Sequence, residues 1–587
     1  MLAPMQTAVI EPARIRLEDR AERLFVGAIG VAMSLALLAY VAWSARNIPY
    51  MEDWELVPVL TGASPFSLSW LFEPTQEHRF VLGRIVLYCI FQLSGGDFRV
   101  AMWISALILI GLAYAFQRVA RAQRGHAAFT DALFPVALLH WGHHENLFFF
   151  VQLWFVLPVM LFSIATLAIV TGWWQKRGGM LTLVACVLLL PLNGGVGLLL
   201  APALAAWMAY AAWTRRTTPS IASAMALPGI FAIFFVAIYF LRLQSPAQIA
   251  QTPRSLGAIL RTTFEVLGAS FGPGAPDLWL YLGVAVAGLC TATAFALFVL
   301  ALRRSGERLR ASGLFACLAA AGALAFGIGY GRSIVGPGAG SVSRYCLLMI
   351  PALCVVYLTA VVYAGSFCSR LVQMTLFVIA CAMFSINVQS GIAYARYRNA
   401  DADAMLAGIA QGFPPRALAQ RYFRAIYPNP DALAQRLSML QSARMGPYSS
   451  VDASALAPAP ACHEEQMSTQ VLTSNDVEFS AYGARGLGTD PFVVYALPRI
   501  ARVCGIRIHY IVENSAGVPP VTTQVFWALA AGHEHFDGTR RNVVLTLPPG
   551  EQTQTFWVYG TIDQFRFDPD VRQCTFRVID VTFLVED

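Results

Sequence analysis

Two groups of charged residues stand out near the start of the chain. The sequence Met-Glu-Asp-Trp-Glu occupies positions 51–55, and Gln-Glu-His-Arg follows at 76–79. Both lie between two long apolar segments, in an interval that holds six of the eleven acidic residues between positions 24 and 388. Charged groups beside a bilayer are costly and commonly mark a functional site. Glu52 and Asp53 are therefore candidate catalytic residues, because a carboxylate can accept the proton of a hydroxyl group.

Arginine residues at the ends of later apolar segments could hold a phosphate group. A guanidinium group binds phosphate through two parallel hydrogen bonds, which the point charge of a lysine does not provide. The candidates for binding a phosphate are Arg332, Arg344, Tyr345 and Arg79. A second interpretation of Arg332 and Arg344 is that they only anchor helix ends by extending their charged groups to the membrane surface.

A third set of polar residues, predicted at the same membrane face, could bind an acceptor molecule. It comprises Glu77, His78, His144, Glu145, Asn146 and Gln152. The adjacent His143 and His144 could suggest a metal site, but neighbouring residues on a helix point about 100° apart. Their spacing also differs from that of known zinc sites. We therefore predict no metal ligands here and favour a hydrogen-bonded helix cap.

The composition places these residues in a membrane protein. The chain of 587 residues is 57% hydrophobic and 13% charged, whereas about 25% of the residues of a soluble protein are charged. The net charge of +7 comes almost wholly from arginines, which lie at segment ends rather than along one face. Nucleic acid is therefore not predicted as a partner, and we expect a polytopic α-helical protein in a lipid bilayer.

A helix that crosses a bilayer needs about 20 predominantly apolar residues. Eleven segments are predicted to cross: 24–45, 98–118, 127–142, 147–172, 179–193, 196–213, 224–243, 277–302, 311–330, 345–365 and 371–388. Two further stretches, Phe80–Leu93 and Leu256–Ala269, contain charged residues and are predicted as amphipathic helices on the outer interface. The sequence Asn193-Gly194-Gly195 separates two of these segments. It could be a break that serves helix packing or a loop that binds substrate, and both interpretations remain open.

The arginines also predict the orientation of the chain. With the N-terminus inside, every loop predicted to face the cytoplasm carries basic residues, as cytoplasmic loops do. The segment 24–45 has no neighbouring A-x-A cleavage site and is predicted to be an uncleaved anchor. Eleven crossings then place the C-terminus outside. We therefore expect the C-terminal domain on the outer side of the membrane, in the periplasm.

Beyond position 388 the hydropathy falls and the pattern changes. From about position 465, apolar and polar residues alternate in short runs separated by turn residues, which predicts a β-sandwich or jelly roll. The predicted domains are a cytoplasmic segment at 1–23, a transmembrane domain at 24–388 with outer interfacial helices near 51–94 and 256–269, a periplasmic helical linker at 389–464, and a periplasmic β-domain at 465–587.

Three cysteines lie in the predicted outer domain: Cys462, Cys504 and Cys574. An oxidising compartment would allow one disulfide and leave one thiol. Cys504 and Cys574 both lie in predicted strands, so this pair is preferred.

Nucleotide sugars, the soluble donors for sugar transfer, are cytoplasmic. A sugar donor for a reaction on the outer face therefore has to arrive through the bilayer. A polyprenyl-phosphate sugar meets this requirement, with its tail in lipid and its phosphate at the interface. Carboxylates and arginines at one face suit the transfer of its sugar to a hydroxyl group.

These residues resemble those of the GT-C superfamily of membrane glycosyltransferases, whose first outer loop carries interfacial helices and the catalytic acid. Glu52-Asp53-Trp54 is similar to the acidic motif, and Glu77-His78-Arg79 is similar to a Glu-His-Arg element of some bacterial members. Similar features follow at Glu145-Asn146 with Gln152, and at Gly331-Arg332 with Arg344-Tyr345. Many relatives have Asp-Asp or Asp-Glu at the acidic motif. Either carboxylate here could therefore be the base, and we assign Asp53.

The resemblance covers about residues 24–388, and it implies a polyprenyl-phosphate-linked sugar as donor. Because the similar motifs are those of bacterial members, it also implies a place in the bacterial inner membrane. Metal dependence varies in the superfamily. No cofactor is therefore assigned, and a divalent metal stays compatible. The outer domain resembles carbohydrate-binding-like jelly rolls through Phe565–Pro569. Its aromatic residues could stack on sugar rings or belong to the core: Trp527, Trp557 and Tyr559.

The sequence therefore predicts an inverting glycosyltransferase that moves a sugar from a polyprenyl-phosphate donor to a hydroxyl acceptor. The acceptor could be a cell-envelope glycan, a glycolipid or a protein. Two alternatives stay open: a transporter or flippase for a lipid-linked glycan, and a non-enzymatic assembly protein that binds glycan. Acidic residues are nearly absent from the predicted membrane interior, which argues against a proton-coupled transporter.

Overall fold

The computed structural model describes residues 10–75, 78–215, 225–231, 234–235, 254–274, 276–451, 461–514, 520–530, 535–536 and 541–587. The chain forms two compact units. The first comprises Met1–Arg46 and Pro65–Tyr397, and the second comprises Asn47–Ser64 and Arg398–Asp587. The acidic group at positions 52–53 is therefore part of the second unit.

Helices dominate the chain up to residue 443. In chain order the α-helices are α1 (Ile10–Ser44), α2 (Val57–Leu60), α3 (Leu68–Phe72), α4 (Val81–Leu93), α5 (Arg99–Arg124), α6 (Leu133–Leu138), α7 (His144–Phe148), α8 (Leu153–Val170), α9 (Arg177–Leu189), α10 (Gly194–Arg215), α11 (Leu256–Gly268), α12 (Trp279–Arg303), α13 (Arg308–Arg332), α14 (Ser343–Tyr363), α15 (Ser366–Ala410), α16 (Pro415–Ile426) and α17 (Pro430–Ala443). Short 3₁₀ helices lie at Met51–Glu55, Phe129–Ala132, Trp141–His143, Phe150–Gln152, Trp173–Gln175, Leu190–Leu192, Ala269–Phe271, Pro276–Leu278, Ser305–Glu307, Ser333–Val335 and Gly446–Tyr448.

Within the described part of the chain, eight helices are long and apolar enough to cross a membrane. They are Asp19–Ser44, Arg99–Arg124, Phe150–Val170, Gly194–Thr214, Trp279–Arg303, Ser305–Val335, Ser343–Tyr363 and Ser366–Ala410. Each coincides with a segment that the sequence predicts as a span. The expectation of a polytopic helical membrane protein is confirmed.

The other three predicted spans have different outcomes. The segment 127–142 is not one helix, because helix α6 covers only Leu133–Leu138 and 3₁₀ turns precede and follow it. The segment 179–193 corresponds to a shorter apolar helix, Arg177–Leu192. The segment 224–243 lies mostly outside the described residues.

Side chains at both ends of helix α6 explain why it is short. The Ala128 N–H group donates to Asp131 Oδ2 at 3.0 Å, and the Gly142 N–H group donates to His140 Nδ1 at 3.0 Å. Such local bonds from side chain to backbone compete with helical hydrogen bonds. Arg124 also holds Asp131 through two hydrogen bonds of 2.9 and 3.0 Å. The chain therefore turns at both ends of an apolar stretch.

Helix α14 lies in the core of the first unit, where every residue from Tyr345 to Ala360 is buried. Helix α12 instead exposes most of its apolar surface, as a lipid-facing helix does. Helix α11 packs closely on both α12 and α13. A Cβ atom at Gly283 would lie 2.2 Å from the Phe264 carbonyl oxygen, and one at Gly329 would lie 2.1 Å from Thr263 Oγ1. Small residues permit this close approach of helices.

The second unit contains a nine-stranded antiparallel sheet, as far as the described residues show. Its strands are β1 (Cys462–Glu465), β2 (Gln470–Asn475), β3 (Val477–Ser480), β4 (Gly483–Gly486), β5 (Phe492–Asn514), β6 (Val521–Ala528), β7 (Asn542–Leu547), β8 (Gly550–Asp568) and β9 (Cys574–Glu586). The strand order is β3-β4-β9-β5-β8-β6-β7, with β1 beside β9 and β2 beside β5. The predicted alternation holds in β5, where Ile506, Ile508 and Tyr510 are buried.

The sheet curls over a single apolar core. Register shifts between Ala496 and Ala501 interrupt the pairing of β5 with β8, as bulges do where a strand bends. As a result the Tyr510 ring lies 5.1 Å from Phe567, although the two belong to distant parts of the β5–β8 ladder. The predicted C-terminal β-domain is confirmed.

The aromatic residues considered for sugar stacking lie in different surroundings. Trp527 is 3% exposed and belongs to the core. Trp557 and Tyr559 are half-buried, and their rings stack on each other with centroids 5.9 Å apart.

The disulfide joins Cys462 to Cys504, with Cα atoms 6.5 Å apart, so the predicted Cys504–Cys574 pair is wrong. Strand β1 pairs with the end of β9 at Glu586, and Val503 lies opposite Val585 on the same strand. Cys574 begins β9 and is therefore about 35 Å away along that strand at 3.3 Å per residue. Its thiol is buried in the core, which raises the pKa of Cys574 to about 12.

Candidate functional site

The predicted catalytic carboxylates lie on the 3₁₀ helix Met51–Glu55 of the second unit. The Tyr50 N–H group donates to Asp53 Oδ2 at 3.0 Å, and the Asp53 N–H group donates to the Tyr50 carbonyl oxygen at 3.0 Å. Asp53 has no exposed surface, whereas Glu52 is half-buried. The short turn therefore fixes the Asp53 carboxylate relative to its own backbone.

The backbone at the start of this turn is strained. Met51 has φ 46°, in a left-handed region that residues other than glycine seldom adopt. Such strain persists where the surrounding structure enforces it, and it is concentrated at functional sites. Here the Asn47 side chain donates to the Gly446 carbonyl oxygen at 3.0 Å, and helix α2 packs on α17. These contacts hold the acidic turn in place.

Arg398 is a neighbour of this turn that the sequence analysis did not find. Its guanidinium carbon lies 5.1 Å from the centre of the Tyr50 ring, and the residue is 2% exposed. A positive charge is thus buried beside the residue that bonds to Asp53. It lies inside helix α15, beyond the predicted span 371–388, and gave no signal because many arginines in this chain follow apolar segments.

The second motif, at 76–79, is described in part. Gln76 and Glu77 lie outside the described residues. Arg79 is buried and donates to the Phe72 carbonyl oxygen. Backbone hydrogen bonds of 2.8 and 3.0 Å join Thr75 to His78. Arg79 and this bridge close the loop that precedes helix α4.

His78 and Arg332 interact in the first unit. Burial and, second, the positive charge of Arg332 lower the pKa of His78 to about 4. The imidazole is therefore neutral at neutral pH. It can donate or accept a hydrogen bond near Arg332 but adds no charge.

Arg332 ends helix α13 and is half-buried. Among the described residues, its guanidinium group has no hydrogen bond and no ion pair with a carboxylate. The prediction that Arg332 binds a phosphate is compatible with these surroundings.

Arg344 is in a different situation at the start of helix α14. Its guanidinium group lies 3.6 Å from Glu145, and its backbone N–H group donates to Glu145 Oε2 at 3.0 Å. Asn146 donates to the Arg344 carbonyl oxygen at 3.3 Å, and the hydroxyl of Ser343 donates to the Gly142 carbonyl oxygen at 2.7 Å. The structure thus brings Glu145 and Asn146 to Arg344, as polar residues of one cluster.

Three predicted acceptor-binding residues contain buried polar atoms that have no partner within the described structure. These atoms are His144 Nδ1, Asn146 Oδ1 and Gln152 Oε1. The His144 ring stacks on Tyr394, with centroids 4.1 Å apart. Tyr345, which is predicted to lie beside the phosphate, is buried. The guanidinium carbon of Arg344 lies 5.5 Å from the centre of its ring. Unpaired polar atoms are expected where a ligand or a water molecule completes the site.

The neighbouring histidines pack against one another. The rings of His140 and His143 stack with centroids 4.0 Å apart, and His143 Nε2 lies 2.9 Å from the Ala137 carbonyl oxygen. The described part of the chain contains no group of three or more His, Cys, Asp or Glu side chains that could hold a metal ion.

No family model matches the chain, and no curated protein matches it. Among solved structures, the chain is similar to the arabinosyltransferase EmbB from Mycobacterium smegmatis, with 12% sequence identity and a TM-score of 0.29. The match covers 99% of this chain and 66% of EmbB, just under two thirds of its length. At this TM-score the likeness carries no inference about activity, which has to come from the residues themselves.

Proposed function

We propose that this chain is a membrane glycosyltransferase that transfers a sugar from a polyprenyl-phosphate donor to a hydroxyl acceptor. The observation that carries the proposal is the half-buried residue Arg332, whose guanidinium group has no anionic partner among the described residues and whose charge acts on a neutral histidine, His78. An anionic group of the substrate would complete this site, and a phosphate suits a guanidinium group best. A lipid-linked phosphate reaches such a site from the bilayer.

The proposed reaction is a single displacement with inversion. The carboxylate of Asp53 accepts the proton of the acceptor hydroxyl, and that oxygen forms a bond to the anomeric carbon of the sugar. The bond between the anomeric carbon and the phosphate oxygen breaks, and polyprenyl phosphate leaves with the bonding electrons. Arg332, supported by Arg344, stabilises the negative charge that develops on this phosphate.

The two arginines contribute unequally in this proposal. The Arg344 guanidinium group already faces Glu145 at 3.6 Å, so a phosphate has to compete with that carboxylate. Arg332 has no such competitor within the described residues. We therefore assign the main phosphate contact to Arg332 and a secondary one to Arg344. Arg79, which is buried and bound to the Phe72 carbonyl, is assigned to holding its loop.

The proposal predicts that Arg332→Ala impairs donor binding. Loss of a hydrogen bond to a charged group costs about 1.5–3 kcal/mol, so the KM for the polyprenyl-phosphate sugar should rise roughly tenfold or more. Arg332→Lys should fall between wild type and alanine, because it keeps the charge but loses the bidentate geometry. The measurement is release of polyprenyl phosphate by purified protein in detergent, with a panel of polyprenyl-phosphate sugars.

The matched control is Arg308→Ala, which removes an exposed arginine from the other end of the same helix. It should leave the donor KM unchanged. An equal effect of both substitutions, or a defect of Arg332→Ala confined to the acceptor, would remove the phosphate assignment. Turnover in detergent also separates a transferase from a transporter, because a transporter forms no product there.

A further inference from the structure

Helix α11 carries a carboxylate that the proposed reaction does not use. Glu265 has no exposed surface, although it lies on a short helix with exposed apolar residues such as Leu256. Its Oε1 atom accepts hydrogen bonds from the Gly338 N–H group at 3.0 Å and from Arg261 Nε at 3.1 Å. Its Oε2 atom accepts one from the Gly340 N–H group at 3.0 Å. Both oxygens of the carboxylate are thus bound to one loop.

That loop has the sequence Gly-Pro-Gly-Ala-Gly at 336–340 and little intrinsic order. Gly336 has φ 108° and Gly338 has φ 86°, which a residue with a side chain seldom adopts. The loop also lies directly on α11, since a Cβ atom at Gly340 would be 2.5 Å from the Thr262 carbonyl oxygen. Contacts with helix α11 therefore help to hold a glycine-rich segment with many accessible conformations in one of them.

The energetics couple the carboxylate to the loop. A buried carboxylate is costly unless it is hydrogen-bonded. Two of the donors to Glu265 are backbone N–H groups, which reach it only while the loop has this conformation. The Arg261 side chain, nearly half exposed, is the third. Release of the loop would leave Glu265 with a single donor, so the observed conformation is the favoured one.

The loop joins the two arginines assigned above to the phosphate. Arg332 lies four residues before Gly336, and Arg344 lies four residues after Gly340. We propose that Glu265 is a positioning residue that fixes the loop 336–340 and thereby sets the placement of Arg332 and Arg344 for the lipid-linked phosphate. This inference rests on the proposed function. In this proposal Glu265 acts through the loop and not by contact with a substrate.

The test uses Glu265→Gln, which has nearly the same shape but replaces one oxygen with an NH2 group. That group faces a backbone N–H donor, so one of the two loop contacts is lost. The KM for the polyprenyl-phosphate sugar should rise roughly tenfold, since a buried donor left unsatisfied weakens the arrangement it belonged to. The KM for the acceptor should stay unchanged. Glu265→Asp, which keeps both oxygens on a shorter side chain, should restore part of the donor affinity.

Two variants serve as matched comparisons. Arg261→Gln removes the side-chain donor and leaves both backbone contacts, so it should change the donor KM little. Gly340→Ala displaces the loop from the other side, because its Cβ atom would also lie 2.7 Å from the Glu265 Cβ atom. It should reproduce the Glu265→Gln phenotype while the carboxylate stays intact.

A second readout does not depend on activity. Ala339 is 8% exposed and Val335 is 68% exposed, so Ala339→Cys should react slowly with a hydrophilic thiol reagent and Val335→Cys quickly. In the Glu265→Gln background, labelling at position 339 should become roughly tenfold faster, because local opening exposes the site. Mass spectrometry of the labelled peptide separates this thiol from the native ones.

The outcomes separate this inference from the function it rests on. Faster labelling together with a higher donor KM supports the positioning role. Unchanged labelling at position 339 overturns it, even if Arg332→Ala behaves as proposed. Faster labelling with an unchanged donor KM overturns the link to the phosphate. If the wild-type chain releases no polyprenyl phosphate, the proposed function fails, and the labelling result alone decides whether Glu265 anchors the loop.

Discussion

At the scale of single residues, side chains of the same type in similar sequence positions have different surroundings in the structure. Arg332 and Arg344 both follow the same pattern of an arginine at the end of an apolar helix. One has no carboxylate partner among the described residues, and the other faces Glu145 at 3.6 Å. Glu52 and Asp53 are adjacent, yet one is half-buried and the other has no exposed surface. These differences determine which substitutions are informative.

The first prediction at this scale concerns the base. Asp53→Asn should lower the transfer rate by roughly 10²–10⁴-fold, the usual contribution of a general base. The amide oxygen can still accept the Tyr50 N–H group, so the turn should keep its conformation. Glu52→Gln, the matched substitution next to it, should retain most of the activity. The measurement is the initial rate of transfer with purified lipid donor.

If Asp53→Asn transfers the sugar at the wild-type rate, Asp53 is not the base. Loss of activity in Glu52→Gln alone would move the role to Glu52. A lower melting temperature in Asp53→Asn would show that the side chain serves the turn rather than the reaction.

The second prediction concerns pH. Burial and Arg332 lower the pKa of His78 to about 4 in the folded chain, whereas a histidine in an unfolded chain titrates near 6.5. Above about pH 6.5 the imidazole is neutral in both states and has no effect on the pH dependence of stability. Between about pH 6.5 and 4 only the unfolded chain takes up the proton, so the free energy of unfolding falls as the pH falls.

The side chain introduced by His78→Gln is neutral at every pH. The free energy of unfolding of this variant should therefore fall less than that of the wild type as the pH is lowered from about 6.5 to 4. The check is the melting temperature of both proteins at pH 7.5 and pH 5 in one detergent. Other groups titrate equally in the two proteins, so the difference isolates His78. Identical decreases would show that His78 is not desolvated in the folded protein.

At the scale of secondary-structure elements, polar contacts fix the connecting segments, whereas the helices that they connect are mostly apolar. The loop 336–340 is bound by Glu265 of α11, and the turn that carries Glu52 and Asp53 packs through α2 on α17. Helix α6 ends after six residues because polar side chains at both ends bond to nearby backbone groups. The helices supply rigid supports, and single polar contacts determine how the connecting segments leave them.

At the scale of the whole molecule, the chain combines a helical membrane part with a curled β-domain. The disulfide between Cys462 and Cys504 ties strand β1 to β5. Such bonds form and persist in oxidising compartments, which supports a β-domain outside the cytoplasm. We therefore retain, as a proposal, a periplasmic C-terminal domain. A cytoplasmic N-terminus stays a prediction from the placement of the arginines.

This orientation predicts the accessibility of introduced thiols. Tyr482 is 89% exposed in the turn between β3 and β4, so Tyr482→Cys should react with a membrane-impermeant maleimide in intact spheroplasts. Ser305→Cys, exposed between α12 and α13 in a loop predicted to face the cytoplasm, should react only after lysis. Mass spectrometry of each labelled peptide gives the result. The reverse pattern would invert the orientation and remove the periplasmic reaction.

The sequence by itself determined the class of this protein, because hydropathy and its period are local properties. Runs of about 20 apolar residues gave eight helices long enough to cross a membrane. The alternation from Ile506 onward gave strand β5 with its buried face. The same local pattern failed for 127–142, where polar bonds from side chain to backbone interrupt an apolar stretch. The sequence also identified the candidate charged residues, but not the groups that each of them contacts.

Only the tertiary structure decided which partner each charged or reactive side chain has. Glu265 looked like one more charge on an interfacial helix, and the fold places it against a loop more than 70 residues away. Cys504 pairs with Cys462 because two strands meet at the same end of β9. The acidic turn joins the second unit although it lies among residues of the first in sequence. Such pairings depend on long-range packing, which is set by the whole chain at once and leaves no periodic trace in the sequence.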